Sequence, residues 1–276
     1  MMKYLNLGCG LRYHPAWTNV DFNSFTPQVQ AHNLIKGIPF HDNSFEIVYH
    51  SHLLEHFPKN KAIDFIRECY RVLKPGCVIR VVVPDLEQIA KIYLTALEHA
   101  LEDKDEWRNN YDWIMLELYD QTVREKSGGE MLEYLKQDPI PNESFILERL
   151  GDEAKNIIQS LRKNSSPKKE RLHLNNAFPK IFRKFRERFI KLLLGNTDYK
   201  ALQAGRFRST GEIHRWMYDR YSLALLLKQS GFSNPTVQTA WESQINYWST
   251  YNLDTNPDGT IYKPDSLYME AFKLSK

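Results

Sequence analysis

The sequence predicts an α/β fold with a mostly parallel, doubly wound sheet, and three observations carry that prediction. The apolar run Tyr4–Leu7 ends in the glycine turn Gly8-Cys9-Gly10, which is typical of a strand that enters a tight bend. Apolar residues recur at helical spacing over 59–73, and Pro75-Gly76 stops that helix. The β-branched run Val78–Val83 follows directly and indicates a strand buried on both faces. Helix and buried strand alternate here as in a βαβ unit.

The remaining elements follow the same alternation. The first connection is short, because only six residues separate Gly10 from Trp17, whereas a parallel crossover normally needs a dozen or more. We therefore expect a stub or an extended loop in place of the first helix. The other predicted elements are strands at Trp17–Asp21, Phe45–Tyr49, Pro235–Trp241 and Ser266–Lys273, and helices at Leu86–Ala100 and Tyr221–Ser230, the last one capped by Gly231.

Composition limits the class of protein. The chain has 276 residues, of which 42% are hydrophobic, enough for one large domain with an insertion. No apolar run is long enough to span a bilayer, and the N-terminus lacks a signal-peptide pattern. Three isolated cysteines fit reduced thiols. We expect a soluble, cytoplasmic protein.

Charge is uneven along the chain. Residues 162–191 contain eleven Lys and Arg against Glu170 and Glu187, although the whole chain has a net charge of only +3. We predict a mobile loop over 162–179 and a basic amphipathic helix over 180–194. Three interpretations of that helix stay open: docking on the core, peripheral contact with an anionic membrane, or binding of nucleic acid or an anionic glycan.

The opening residues describe a nucleoside pocket. Glycines at 8 and 10 let the backbone approach a ligand where a Cβ would collide. Asp21, at the tip of the next strand, can accept both hydroxyls of a ribose.

Five segments occur in an order that resembles class I S-adenosylmethionine-dependent methyltransferases, in particular the small-molecule methyltransferase-domain family. These segments are Leu5–Gly10, Asn19–Asp21, Ile38–Tyr49, His52–His56 and Tyr70–Gly76. The resemblance implies a Rossmann-like, mostly parallel sheet of seven strands with helices on both faces. It assigns 1–100 and 211–276 to the core and leaves 101–210 as a mainly helical insertion, or lid.

By the same resemblance, S-adenosyl-L-methionine lies across the carboxyl ends of the first strands. Gly8 and Gly10 would line its methionine and ribose portion, and Asp21 would hold the ribose. The remaining implied contacts are Asn33 and Leu34 at the adenine, and His50 and Ser51 at the methionine end.

Three histidines are candidate catalytic residues, because a hydroxyl acceptor needs a base within hydrogen-bond reach. His52 and His56 follow the fourth strand, and His214 stands where the insertion rejoins the core. The segment His52-Leu53-Leu54-Glu55-His56 also matches the zinc-protease pattern His-x-x-Glu-His. It lies at a strand-to-helix junction with Pro58 two residues further on, so we expect no metal there. Glu55 and His56 would brace the following helix instead.

The resemblance implies a methyltransferase that acts on a small molecule, with a hydroxyl of a sugar or glycan precursor as the expected acceptor. One alternative is a non-catalytic S-adenosylmethionine-binding module, favoured by the short first connection and by Asn33. Another is a nucleic-acid methyltransferase. That reading lacks an Asn-Pro-Pro-Tyr-type segment after the fourth strand, where His50-Ser51-His52-Leu53 stands, so we expect no nucleic-acid partner.

Overall fold

Seven strands form one sheet in the computed structural model, which describes residues 3–102, 104–164 and 177–275. Their spatial order is β3-β2-β1-β4-β5-β7-β6. The first five strands pair in parallel, and β7 pairs antiparallel with both β5 and β6. The predicted seven-stranded, mostly parallel sheet is confirmed. The strands are β1 Tyr4–Leu7, β2 Thr18–Asp21, β3 Val29–Ala31, β4 Phe45–Ser51, β5 Leu73–Pro84, β6 Phe232–Gln238 and β7 Ser266–Lys273.

The described residues contain eight α-helices, one between β4 and β5 and seven between β5 and β6. They are α1 Lys59–Val72, α2 Leu86–Leu101, α3 Asp105–Val123, α4 Gly129–Tyr134, α5 Glu143–Leu150, α6 Asp152–Asn164, α7 Ala177–Arg208 and α8 Arg220–Gln229. Gly195 inside α7 has non-helical backbone angles, so α7 consists of two helices joined at a kink. Among the described residues, no helix combines the length and the apolar character needed to cross a bilayer.

The predicted strand Pro235–Trp241 is wrong in its position, because β6 begins at Phe232 and ends at Gln238. Gly231 has a φ of 99°, which lets the chain turn out of α8 and enter the strand at once. The ring of Phe232 then packs edge-on against Tyr70, with ring centroids 5.1 Å apart.

The two faces of the sheet are covered differently. On one face, α1 and α8 contribute Phe65, Ile66 and Leu223 to the main core. The core cluster on the other face contains residues of no α-helix; it is built largely from the strands and from the segment 239–253, including Trp248. Residues 8–17 contain no helix, as the short connection predicted.

Helices α3 to α6 have a small core of their own around Trp113, and α2 packs against α3 through Ile89 and Ile114. The division of the chain at 101 and 210 stays a prediction.

Helix α7 differs from the interpretation that it docks its apolar face on the core. The side chains of Phe185, Phe189 and Leu192 are 72%, 55% and 81% exposed, so that interpretation is wrong for these residues. Of the predicted loop 162–179, residues 165–176 lie outside the described residues, and the flanking ones end α6 and begin α7.

Candidate functional site

A glycine bend lies at the carboxyl end of β1. Gly8 and Gly10 have φ of 64° and 50°, a region that favours glycine. The backbone N–H of Gly10 donates to Asp21 Oδ2 at 2.9 Å, so the carboxylate that ends β2 holds the bend in place. A Cβ on Gly10 would meet no atom within 4 Å, whereas a Cβ on Gly8 would lie 2.8 Å from Leu53 Cδ1. The bend is therefore open to a ligand at Gly10.

The predicted adenine contacts, Asn33 and Leu34, follow β3, and β3 is the strand that pairs with β2. The Asn33 side chain accepts from the N–H of Ile35 at 3.0 Å and caps the 3-10 helix Leu34–Lys36. Leu34 is buried in the main core.

His50 and Ser51 end β4, but their side chains differ in accessibility. His50 is the register partner of Leu7, directly before the bend. Its ring is fully buried against Phe65 of α1, and neither ring nitrogen has a hydrogen-bond partner. Burial lowers the pKa of His50 to about 3, so the ring is neutral. The His50 side chain is closed to a ligand in this conformation, while Ser51 is half-buried.

The three predicted catalytic histidines come together around Glu55. His52 directly follows β4 with a φ of 49°, and the 3-10 helix Leu54–His56 follows it. His214 follows the predicted insertion in the sequence, and its N–H donates to Gln121 O in α3 at 2.9 Å. The next N–H, of Arg215, donates to Glu55 O at 2.7 Å. Backbone hydrogen bonds therefore hold both ends of this cluster.

The side chains of the cluster are close and mostly buried. His52 Nδ1 lies 3.5 Å and His56 Nε2 4.0 Å from Glu55 Oε1. The rings of His56 and His214 are 5.0 Å apart between centroids. Glu55 is 0% exposed, and neither of its carboxylate oxygens has a hydrogen-bond partner.

Burial also sets the protonation of the cluster. It raises the pKa of Glu55 to about 8 and lowers the pKa of His52 and His214 well below the ordinary histidine value. The imidazole rings of His52 and His214 are therefore uncharged at neutral pH, and each has one ring nitrogen that can accept a proton.

A cavity of about 460 Å³ opens beside the cluster. One wall carries the three histidines and Pro84, at the carboxyl ends of β4 and β5. Helices of the predicted insertion form an apolar wall that contains Met131, Leu132, Leu135 and Ile157. Charged side chains complete the lining, among them Arg124, Glu153, Lys263 and Asp265.

A second cavity, of about 640 Å³, lies between α2, α3 and α5 and includes Trp107 and Phe145. Neither cavity is lined by Gly8, Gly10 or Asp21.

Sequence reasoning missed several residues of the first cavity. Glu55 stands at the centre of the histidine cluster although it was expected to brace a helix, and its place inside the His-x-x-Glu-His segment is the signal that pointed to it. Arg124, Lys263 and Asp265 carried no signal, because the fold alone brings their distant segments together.

The sheet order defines a Rossmann-like α/β fold. Residues 12–81 match the family model described as "Methyltransferase domain", about a quarter of the chain. This part of the chain is therefore similar to a methyltransferase domain. A comparison with curated protein sequences finds no match.

Solved structures with a similar arrangement have low sequence identity to this chain. A SAM-dependent methyltransferase from Archaeoglobus fulgidus is 10% identical over 99% of this chain and 86% of its own, with a TM-score of 0.37. A possible histamine N-methyltransferase from Thermotoga maritima is also 10% identical, over 99% and 83%, with a TM-score of 0.38. The cyclase SpnF is 20% identical over 30% of this chain and 38% of its own, with a TM-score of 0.25. At these values the likenesses add nothing to the assignment from residues 12–81.

Proposed function

We propose that this chain is an S-adenosylmethionine-dependent methyltransferase that methylates a hydroxyl of a small molecule, a sugar or glycan precursor. One observation carries the proposal: the glycine bend and the histidine cluster lie at the same carboxyl edge of the sheet, after β1 and β4 respectively. The bend also lies close to the residue that follows His52, since a Cβ on Gly8 would be 2.8 Å from Leu53 Cδ1. Ligands of open α/β sheets bind at this edge.

The residues around the bend fit the cofactor. The space beside Gly10 is free of other atoms, so a ligand can approach the backbone there. Asp21 accepts two backbone N–H groups, from Gly10 and Asn23, and a carboxylate has further lone pairs for ribose hydroxyls. Bound S-adenosylmethionine supplies the methyl group as a sulfonium.

The cavity beside the histidines suits a polar acceptor. A hydroxyl loses its proton when it is methylated, and a neutral imidazole can take that proton. His56 is prepared for this role, because its Nδ1 donates to the carbonyl of Ile213 at 3.1 Å and leaves the lone pair on Nε2. His52 and His214 are the other candidates for the base.

The predicted insertion would then act as the lid. Its residues Met131, Leu132 and Ile157 contribute the apolar wall of the cavity. Such a wall excludes water and selects the acceptor by shape.

Calorimetry with S-adenosylmethionine tests the cofactor half of the proposal. Asp21→Ala should weaken binding at least about fivefold, since a lost hydrogen-bond pair costs about 1–3 kcal/mol. Asp64→Ala is the matched control, because Asp64 is an exposed carboxylate on α1. Equal affinity in the two variants would show that Asp21 does not hold the ribose.

Mass spectrometry with a labelled methyl donor tests the acceptor half. A panel of sugars and glycan precursors should show label on a hydroxyl. Ile157→Trp should fill the cavity and abolish that label while leaving cofactor affinity unchanged. Cofactor binding without transfer to any acceptor would instead favour a non-catalytic binding module.

A further inference from the structure

We propose that Glu55, His56 and His214 form a binding site for one divalent transition-metal ion of the Zn²⁺ type, on the wall of the 460 Å³ cavity. One ligand atom from each residue lies within 4.8 Å of the other two. All three side chains line the cavity. The proposal concerns metal binding and does not depend on methyl transfer; with a metal on His56 and His214, His52 would be the candidate base of the proposed function.

The unpartnered polar atoms of the cluster are the first argument. Both carboxylate oxygens of Glu55 and the Nδ1 atom of His214 are buried without a hydrogen-bond partner. Buried polar atoms in folded proteins are nearly always paired, and an orphaned group calls for an explanation. A cation held by Glu55 and His214 would give a partner to buried polar groups on both residues.

The orientation of His56 is the second argument. A carbonyl oxygen only accepts, so the 3.1 Å contact with Ile213 O fixes the proton on Nδ1. Nε2 then carries the lone pair, on the side that faces Glu55. Histidines that bind metals usually donate their other ring N–H to a carbonyl or a carboxylate in this way.

The nearby cations do not neutralise Glu55 directly. Lys263 Nζ lies 2.8 Å from Glu153 Oε2, and Arg124 Nη2 lies 2.8 Å from Asp120 Oδ2. Both are hydrogen-bonded to other carboxylates. A divalent ion would therefore supply the close positive charge that the ionised form of Glu55 needs.

The donor set decides the type of ion. Two imidazole nitrogens and one carboxylate oxygen suit Zn²⁺ and neighbouring transition metals, whereas Ca²⁺ and Mg²⁺ prefer sets of oxygens. Three protein ligands leave one position open toward the cavity, as in catalytic zinc sites. His52 lies outside this trio, with its Nε2 atom 2.8 Å from Ser266 Oγ and its Nδ1 atom beside Glu55.

The arrangement differs from the zinc-protease pattern that the sequence suggests. That pattern needs His52 and His56 one helical turn apart, with Glu55 as the base. Here the segment Leu54–His56 is a 3-10 helix, and His52 lies before it in a left-handed conformation. The structure recruits His214 instead, so the expectation of no metal at this segment is revised by this proposal.

Metal binding to the full-length chain, without an affinity tag, tests the proposal. After treatment with a chelator and dialysis, titration with Zn²⁺ should show about one ion per chain by elemental analysis and calorimetry. Co²⁺ in its place should give the visible absorption of a four-coordinate nitrogen and oxygen site. His214→Asn and Glu55→Gln should each lower the affinity at least about tenfold.

The matched control is His41→Asn, because His41 is exposed and distant in the fold from the cluster. It should bind Zn²⁺ like the unchanged chain. Far-ultraviolet circular dichroism identifies a variant that fails to fold, and the other cluster variant then carries the test. Absence of stoichiometric binding, or equal binding in His214→Asn, Glu55→Gln and His41→Asn, would overturn the proposal. Calorimetry with S-adenosylmethionine remains a separate measurement, so failure of the metal site is distinguishable from failure of the methyltransferase.

Discussion

Replacing Arg80 by Met should destabilise the protein more than any exposed ion-pair change. Arg80 is 0% exposed in the middle of β5. Its Nε donates to Asp254 at 2.7 Å and its Nη1 to Glu270 at 2.8 Å. The guanidinium also donates to backbone carbonyls in the 239–242 segment and lies over the ring of Trp248. One side chain therefore fastens that segment and the loop carrying Asp254 to the sheet.

The magnitude follows from what the substitution leaves behind. Met fills much of the volume, but Asp254 and Glu270 stay buried without their cation. Asp254 keeps the hydroxyl of Tyr49 at 2.6 Å, and Glu270 keeps the N–H of Gln244 at 2.8 Å. Removal of one partner from a buried ion pair costs about 3–5 kcal/mol, and these remaining hydrogen bonds place the expected loss near the middle, about 4 kcal/mol.

Chemical denaturation followed by circular dichroism and tryptophan fluorescence measures this loss, with Lys61→Met as the control. Lys61 and Asp64 form an exposed pair, 63% and 56% accessible, so that control should lose less than about 1 kcal/mol. Burial raises the pKa of Asp254 in the folded chain even with Arg80 present. A raised acid pKa means that stability falls as the pH rises through the window between the unfolded and folded values. The deficit of Arg80→Met should therefore shrink at mildly acidic pH. A loss no larger than that of the control would refute the reasoning.

Three further predictions follow from other parts of the chain. Asp219→Ala should remove the N-cap of α8 and cost about 1 kcal/mol of unfolding free energy in denaturation at neutral pH. Hydrogen bonds from the α8 backbone lower the pKa of Asp219 in the folded chain. The stabilisation by Asp219 is therefore complete above its pKa in the unfolded chain, and it disappears as the pH falls through its pKa in the folded chain. Gly10→Ala should cost about 1–2 kcal/mol of stability, because a φ of 50° strains an L-residue even though its Cβ meets no atom, and it should weaken S-adenosylmethionine binding in calorimetry because the Cβ occupies the space beside the bend. Combined Asn substitutions at Phe185, Phe189 and Leu192 should leave the thermal midpoint of unfolding nearly unchanged, because all three side chains are exposed. The same substitutions should abolish cosedimentation with phosphatidylserine vesicles. If the chain without substitutions does not cosediment, the predicted membrane contact of 180–194 is contradicted.

Much of the sheet was predictable because its signals are local. The run Val78–Val83 is β-branched except at Arg80, and Pro75-Gly76 marks the end of the preceding helix, so β5 and α1 follow from a few neighbouring residues. The cover of the second sheet face was not predictable, because Trp248 reaches that face through a loop with no periodic pattern. The placement of β6 failed for a similar reason: Gly231 turns the chain sooner than the proline at 235 suggested.

The site residues also divide into those that the sequence predicts and those that only packing brings to the site. Gly8, Gly10 and Asp21 are close in sequence, and the parallel pairing of β1 and β2 brings their ends together by rule. His50 shows the limit of such a rule: its backbone position follows from the register, but the direction of its side chain depends on the alternation along β4 and on the packing of Phe65. The apolar wall of the cavity depends on helix packing within the insertion, which no local pattern describes.

Backbone hydrogen bonds of His214 and Arg215 connect the strand end, which the sequence predicts, with the helix packing, which it does not. His214 is held by Gln121 of α3, and Arg215 is held by the backbone of Glu55, so one dipeptide joins the helices of the insertion to the end of β4. A shift of α3 relative to the sheet would therefore move His214 away from Glu55 and His56, and it would open the cavity wall at the same time. The position of α3 therefore bears on both the place of His214 and the cavity wall, which includes Gln121. This arrangement places His214, a proposed base and metal ligand, at the point where the predicted insertion rejoins the core.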